Sequence, residues 1–180
     1  MAEWRNRTGG VYALTTFASI LPGHVEAVQE YLDTLPEAEH SPLARLTQLH
    51  LSRVHIFKEL VAQPGCPAEK LDAPQLVFTS SFDGSLDRYL DDLCTKVPEC
   101  DSWWGHCVGY PGRADKAAFK AYVRAHKIDA QLFANAYPGA TVQDVRRALA
   151  TRERVIDFAV AAQGLDAAAL QRRLRAELAA

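Results

Sequence analysis

The sequence predicts an α+β fold: an antiparallel sheet built in the order β-α-β-β-α-β, with further helices after it. Three observations predict it. Four short runs have strand composition, rich in β-branched and aromatic residues: 11–20 (VYALTTFASI), 46–57 (LTQLHLSRVHIF), 75–82 (QLVFTSSF) and 103–110 (WWGHCVGY). Between the first and second runs, and between the third and fourth, apolar residues recur at helical spacing. Pro-Gly pairs at 22–23, 64–65, 111–112 and 138–139 punctuate the chain.

The first strand ends at Pro22-Gly23. A helix over 24–35 follows, with Val25, Val28, Tyr31, Leu32 and Leu35 on one stripe, and Pro36 stops it. Residues 36–42 are polar and read as a loop, leading into the strand at 46–57. The connection over 58–74 holds Pro64-Gly65 and two more prolines before the third strand. Asp83-Gly84-Ser85 is a turn that also offers helix caps. A short helix over 85–94 turns Leu86, Tyr89, Leu90 and Leu93 inward, a loop covers 97–102, and the fourth strand closes at Pro111-Gly112. This is the ferredoxin-like split βαβ pattern, an antiparallel sheet with helices on one face.

Beyond it, residues 114–126 form a helix with Ala118, Phe119, Tyr122, Val123 and His126 on one stripe. Residues 131–137 (QLFANAY) are a candidate fifth strand. A long helix over 141–162 has Val142, Val145, Leu149 and Ile156 inward. Gly164 ends it, and Asp166 caps a last helix carrying Leu170, Leu174 and Leu178. One domain is expected over 1–180, with a core at 11–112 and a helical extension at 113–180. The leucines of the last helix suit a dimer clasp or packing on their own domain.

Composition narrows the function classes. A 180-residue chain can bury a real core. Its 20 basic and 22 acidic side chains leave a formal charge of −2, which gives no general attraction to nucleic acid or anionic membrane. No apolar run approaches the roughly 20 residues that cross a bilayer. The opening MAEWRNRTGG lacks the apolar centre of a secretion signal, so a cytoplasmic protein is expected. Cys66, Cys94, Cys100 and Cys107 include no C-x-x-C pair and are expected as free thiols. Of these, Cys94 and Cys107 read as core fillers and Cys100 as partly exposed in its loop. Gly-rich nucleotide loops, G-x-S-x-G and H-E-x-x-H are all absent from the sequence.

Four groups could carry chemistry. The strand at 46–57 places His50, Ser52, Val54 and Ile56 on one face and Leu49, Leu51, Arg53, His55 and Phe57 on the other. Polar groups on a core-like strand form either a buried network or the lining of a cavity. His50 and Arg53 have opposite parity, so only a bulge could bring them together. A histidine beside an arginine can move protons and stabilise a developing anion. The second group is Trp104, His106 and Tyr110 on the expected fourth strand, where His106 is a candidate base or metal ligand. Third is His126, on the apolar stripe of its helix. Fourth are Ser80, Ser81 and Asp83 beside Gly84, where Asp83 serves the turn or caps the following helix, or the group positions a substrate.

The stretches LHLSRVHIF, LVFTSSFDG and WWGHCVGYPG, in that order of elements over about 11–112, resemble bacterial members of the dimeric α+β barrel superfamily. There, two ferredoxin-like sheets pack face to face across a two-fold axis. The superfamily includes haem peroxidases, haem-degrading and quinone-forming monooxygenases, aldoxime dehydratases and lactone isomerases, besides binding modules. The chain departs from its smallest members by the C-terminal third, and no second βαββαβ unit is legible. The resemblance implies a homodimer and a small oxidoreductase, peroxidase- or monooxygenase-like, acting on an apolar or aromatic organic molecule. The alternatives are a cofactor-free isomerase, dehydratase or monooxygenase, and a non-catalytic ligand-binding module. If haem is the cofactor, His126 is the positional analogue of the iron ligand, with His106 second and Arg53 available for a propionate. His50, Arg53 and His106 are then the expected catalytic groups, and His55, Ser81, Asp83, Trp104 and Tyr110 the expected substrate contacts.

Overall fold

The computed structural model describes residues Glu3–Ala179. The chain divides into two compact units, Met1–Val142 and Gln143–Ala180. The first is a mixed α+β body: an antiparallel sheet with helices on one face. Its strands are β1 (Arg7–Thr8), β2 (Val11–Ser19), β3 (Leu49–Leu60), β4 (Glu69–Asp83) and β5 (Lys127–Ile128). Their order is β1-β2-β4-β3, with β5 pairing β2 as well. The helices are α1 (Val25–Asp33), α2 (Leu86–Lys96), α3 (Cys100–Trp104) and α4 (Lys116–His126).

Alternation along β2 and β4 makes this sheet two-sided. Tyr12, Leu14, Thr16 and Ala18 on β2, and Leu76, Phe78, Ser80 and Phe82 on β4, are buried against the helices. Leu86, Tyr89, Leu90 and Leu93 of α2 meet them, as the helical stripe requires. Ser85 caps α2 by accepting from the Arg88 N–H, and Asp115 caps α4 by accepting from the N–H groups of Ala117 and Ala118. The opposite face carries no helix of this unit.

Three expectations are corrected. Residues 103–110 do not form a strand: Trp103 and Trp104 end α3 and are 0 % and 1 % exposed. Neighbouring residues buried together cannot both face the core from a one-sided strand, whereas the end of a short helix sunk in the core accommodates both. Cys100 goes inside with them and is fully buried rather than partly exposed. What remains of the fourth strand is one antiparallel bridge, Ile20 to Cys107, flanked by Leu21 N–H to the His106 carbonyl (2.9 Å) and Val108 N–H to the Ser19 carbonyl (2.8 Å). Second, the connection over 58–74 is mostly strand. β3 runs on to Leu60 and β4 starts at Glu69, with an irregularity between Phe57 and Glu59 that absorbs Pro74. Third, residues 131–137 are irregular, and Lys127–Ile128 supplies the extra pairing, opposite Thr16 and Thr15.

The segment after β5 is tied down from the N-terminal end of the chain. Asn6, 1 % exposed, donates to Asp129 at 2.7 Å and accepts from the Ala130 N–H at 2.8 Å. Thr8 donates to the Phe133 carbonyl at 2.7 Å. Gly9, at φ +60°, lies so close to Pro138 that a Cβ would sit 1.9 Å from its carbonyl oxygen, so only glycine fits there.

The second unit is a helical hairpin formed by α5 (Val142–Ala161) and α6 (Ala167–Ala179), with Val142 itself closing the first unit. Gly164 turns it at φ +77°, and Asp166 caps α6 through the Ala169 N–H. Arg154 of α5 donates to the Glu177 carboxylate at 3.0 Å and to its carbonyl at 2.7 Å. Of the residues expected inward, Val142 is buried, but Val145, Leu149 and Ile156 are 46 %, 50 % and 47 % exposed. Two helices share a single seam and cannot enclose a wide apolar stripe. Leu170 and Leu174 are exposed as well, at 39 % and 44 %, and the side chain of Leu178 lies outside the described residues. Among the described residues no helix is long and apolar enough to cross a membrane.

Candidate functional site

The uncovered sheet face is a grid set by the strand registers. Leu51 pairs Ser81, which pairs Ala13. Arg53 pairs Thr79, which pairs Thr15. His55 pairs Val77, which pairs Phe17. Residues directly opposite on neighbouring strands have Cβ atoms about 5 Å apart, so each trio forms a row of touching side chains. The middle row, Arg53–Thr79–Thr15, is polar, and apolar groups border it. Above it Phe133, held by the Thr8 hydrogen bond, adds an aromatic wall. Leu51, Arg53, His55, Thr79, Ser81, Ala13, Thr15 and Phe133 line a cavity of about 290 Å³, floored by Leu14 and Ser80.

The polar groups of this cavity lack partners. The side chains of Arg53 and His55 make no ion pair or hydrogen bond among the described residues. The Thr79 hydroxyl is buried with no acceptor or donor in reach. A buried hydroxyl without a partner costs about 1–3 kcal/mol, so its retention calls for a reason.

At the end of the grid a bulge changes the parity of β3. Leu49 pairs Phe82 and Leu51 pairs Ser81, so His50 is an inserted residue. Instead of joining Ser52 on the core side, its ring reaches Asp83, with Nε2 2.8 Å from Oδ1. The other Asp83 oxygen accepts the Val142 N–H at 2.7 Å. Asp83 therefore serves neither the turn nor the cap of α2. It orients an imidazole on the same face as Ser81, two residues along, and both side chains of the pair are about four-fifths buried. Ser52 donates to the Thr79 carbonyl at 2.9 Å and contributes nothing to the open face.

The remaining expected site residues lie elsewhere. Trp104 is packed in the core against Phe78, Trp103 and Phe119, at centroid distances of 5.1, 6.2 and 5.7 Å. Tyr110 donates to Asp101 at 2.5 Å, and the same carboxylate accepts the Arg113 N–H at 3.1 Å and faces its guanidinium at 3.0 Å. That network pins the loop after α3, and burial and the Asp101 contact push the Tyr110 phenol well above its ordinary range. His106 is paired Nδ1 to Nδ1 with His24 at 2.8 Å, so one of the two nitrogens donates and the other accepts. His126 donates from Nδ1 to the Tyr122 carbonyl at 2.9 Å, which leaves Nε2 with its lone pair. Burial pushes the thiols of Cys100 and Cys107 up to about 12, which removes them as nucleophiles at neutral pH.

Neither His106 nor His126 lines the cavity, and His106 is already engaged by His24. A volume of about 290 Å³ is at the low end of small-molecule sites and is small for a porphyrin. The residues present do not converge on a haem site. Among the described residues no group of three or more His, Cys, Asp or Glu could hold a metal ion.

Thr79, Thr15, Phe133 and His24 were not singled out from the sequence. Thr79 and Ser81 had a signal, since they share parity with Val77 in an otherwise apolar strand. Phe133 and His24 had none, because irregular segments place them. Compared with protein-family models, with curated proteins and with solved structures, the chain matches none.

Proposed function

We propose that this protein acts on a small organic molecule held on the open sheet face, and that it does so as a homodimer of ferredoxin-like domains. One observation carries the reading: ionisable Arg53 and His55 stand unpaired beside a buried, partnerless Thr79 hydroxyl, in a concavity walled by Leu51 and Phe133. A buried hydroxyl without a partner departs from the general rule, and Arg53 and His55, both solvent-exposed, are free to meet a ligand beside it. His55 is the proton-transferring group, and the Asp83-oriented His50 is a second base at the rim. The chemistry open to this set is isomerisation, dehydration or cofactor-free oxygenation of an electron-rich substrate.

The ferredoxin-like reading rests on the strand order, in which the residual bridge at Cys107 occupies the outer edge of β2 where a fourth strand would lie. The dimer reading rests on the exposure of Leu51 and Phe57, 48 % and 38 %, on that face. A second sheet laid over it would bury both residues and enclose the cavity. The test is a ¹⁵N nuclear magnetic resonance titration with phenol, benzyl alcohol and cyclohexanone, alongside sedimentation. Shifts confined to residues 13–15, 51–55, 79–81 and 133, in a particle of twice the chain mass, are expected. A monomer whose signals at these positions stay still with all three probes overturns the proposal.

A further inference from the structure

We infer that the ligand of the open face carries a single carboxylate, gripped by the Arg53 guanidinium and the Thr79 hydroxyl, with its apolar body against Leu51 and Phe133; this rests on the small-molecule reading above. The register places Arg53 directly across from Thr79, with side chains adjacent on one face. A guanidinium presents a planar fork of N–H donors that matches a carboxylate with two parallel hydrogen bonds. The Thr79 hydroxyl has no partner in the protein and donates a third hydrogen bond to the same group.

The ionisable surroundings favour this anion over others. Among the residues lining the cavity, Arg53 is the one fixed positive charge, and no Asp or Glu lines it. Asp83, which shares the parity of Ser81 on β4, is occupied by His50 and the Val142 N–H. One fixed charge balances a monoanion. A phosphate monoester, with close to two charges and three acceptor oxygens, would leave one charge and several lone pairs unmatched. The apolar border and the Phe133 ring suit a flat hydrocarbon body.

The experiment compares isosteric probes by calorimetry and by ¹⁵N resonance: benzoate against benzamide, phenylacetate against phenylacetamide, and phenyl phosphate as the competing anion. Benzoate is expected to bind at least tenfold tighter than benzamide, with the advantage shrinking as salt is raised. Arg53→Gln erases the preference, and Thr79→Val weakens benzoate binding severalfold. Arg53 is exposed and unpaired, so its variant keeps the fold, which the resonance spectrum verifies. Equal affinity for benzoate and benzamide overturns the carboxylate inference and leaves the small-molecule site standing. Phenyl phosphate binding tighter than benzoate overturns the choice of anion. No response of residues 51–55 and 79–81 to any probe overturns both proposals.

Discussion

The two sides of the sheet treat polar atoms differently. On the helix-covered side and its edge, charged and imidazole groups pair within the protein. Tyr110 and Arg113 share Asp101, His24 pairs with His106, His126 leans on the Tyr122 carbonyl, and Lys127 meets Asp129. The hydroxyls of Thr16 and Tyr122 do go without protein partners there, but these groups are neutral. On the open side a guanidinium and an imidazole stand unpaired around a buried hydroxyl. Pairing is what stability demands of charge, so the covered side reads as architecture and the open side as the place where the chain meets something else.

The contrast predicts a graded set of outcomes. Trp104→Ala, on the covered side, should cost about 3–5 kcal/mol in urea unfolding, because a large ring leaves a cavity among Phe78, Trp103 and Phe119. Alkali should attack the same side next. The Cys100 and Cys107 thiols sit near 12 when folded against 9.0 as ordinary thiols, so the unfolded chain releases protons that the folded one retains. Their contribution is therefore full below about pH 9 and is lost as pH climbs to about 12, which a series of urea midpoints across that range will register.

Asp83→Ala should cost about 1–3 kcal/mol, since it strips the Val142 N–H and His50 of their acceptor together. Asp83→Asn, which can still accept from the Val142 N–H, should recover part of that. Thr79→Val, on the open side, should have the opposite sign. Removing an unpartnered buried hydroxyl at constant shape is neutral or stabilises by up to about 1 kcal/mol, even as it weakens carboxylate binding. Arg53→Ala should change the unfolding free energy least, within about 0.5 kcal/mol. If Arg53→Ala destabilised as much as Asp83→Ala, the distinction between the two sides would fail.

Particular residues show how far the chain can be read without coordinates. Composition alone located β2 and β4 in VYALTTFAS and QLVFTSSF, and a strand turns successive side chains to opposite faces whatever surrounds it, but the helices packed on the sheet decided which face goes inside. The stripe of α2 was legible too, and so were the caps of α6 and the Gly164 turn. WWGHCVGY was misread because aromatic and β-branched content suits a strand and a buried helix end alike. The difference between them is whether adjacent tryptophans must both be inside.

Local periodicity is a property of the backbone, so the sequence by itself determined the α+β class and the shared parity of Arg53 and His55, while the packing of the helices decided that this face is the open one. Register, bulges and long-range anchoring are properties of strands meeting, and only the tertiary structure decided those. It inserted His50 toward Asp83, set Thr79 between Arg53 and Thr15, and brought Phe133 over the grid from fifty residues further along the chain. The physical reason is that a site needs groups within a few ångströms of one another, and that closeness depends on contacts between distant segments, which no short stretch of residues encodes.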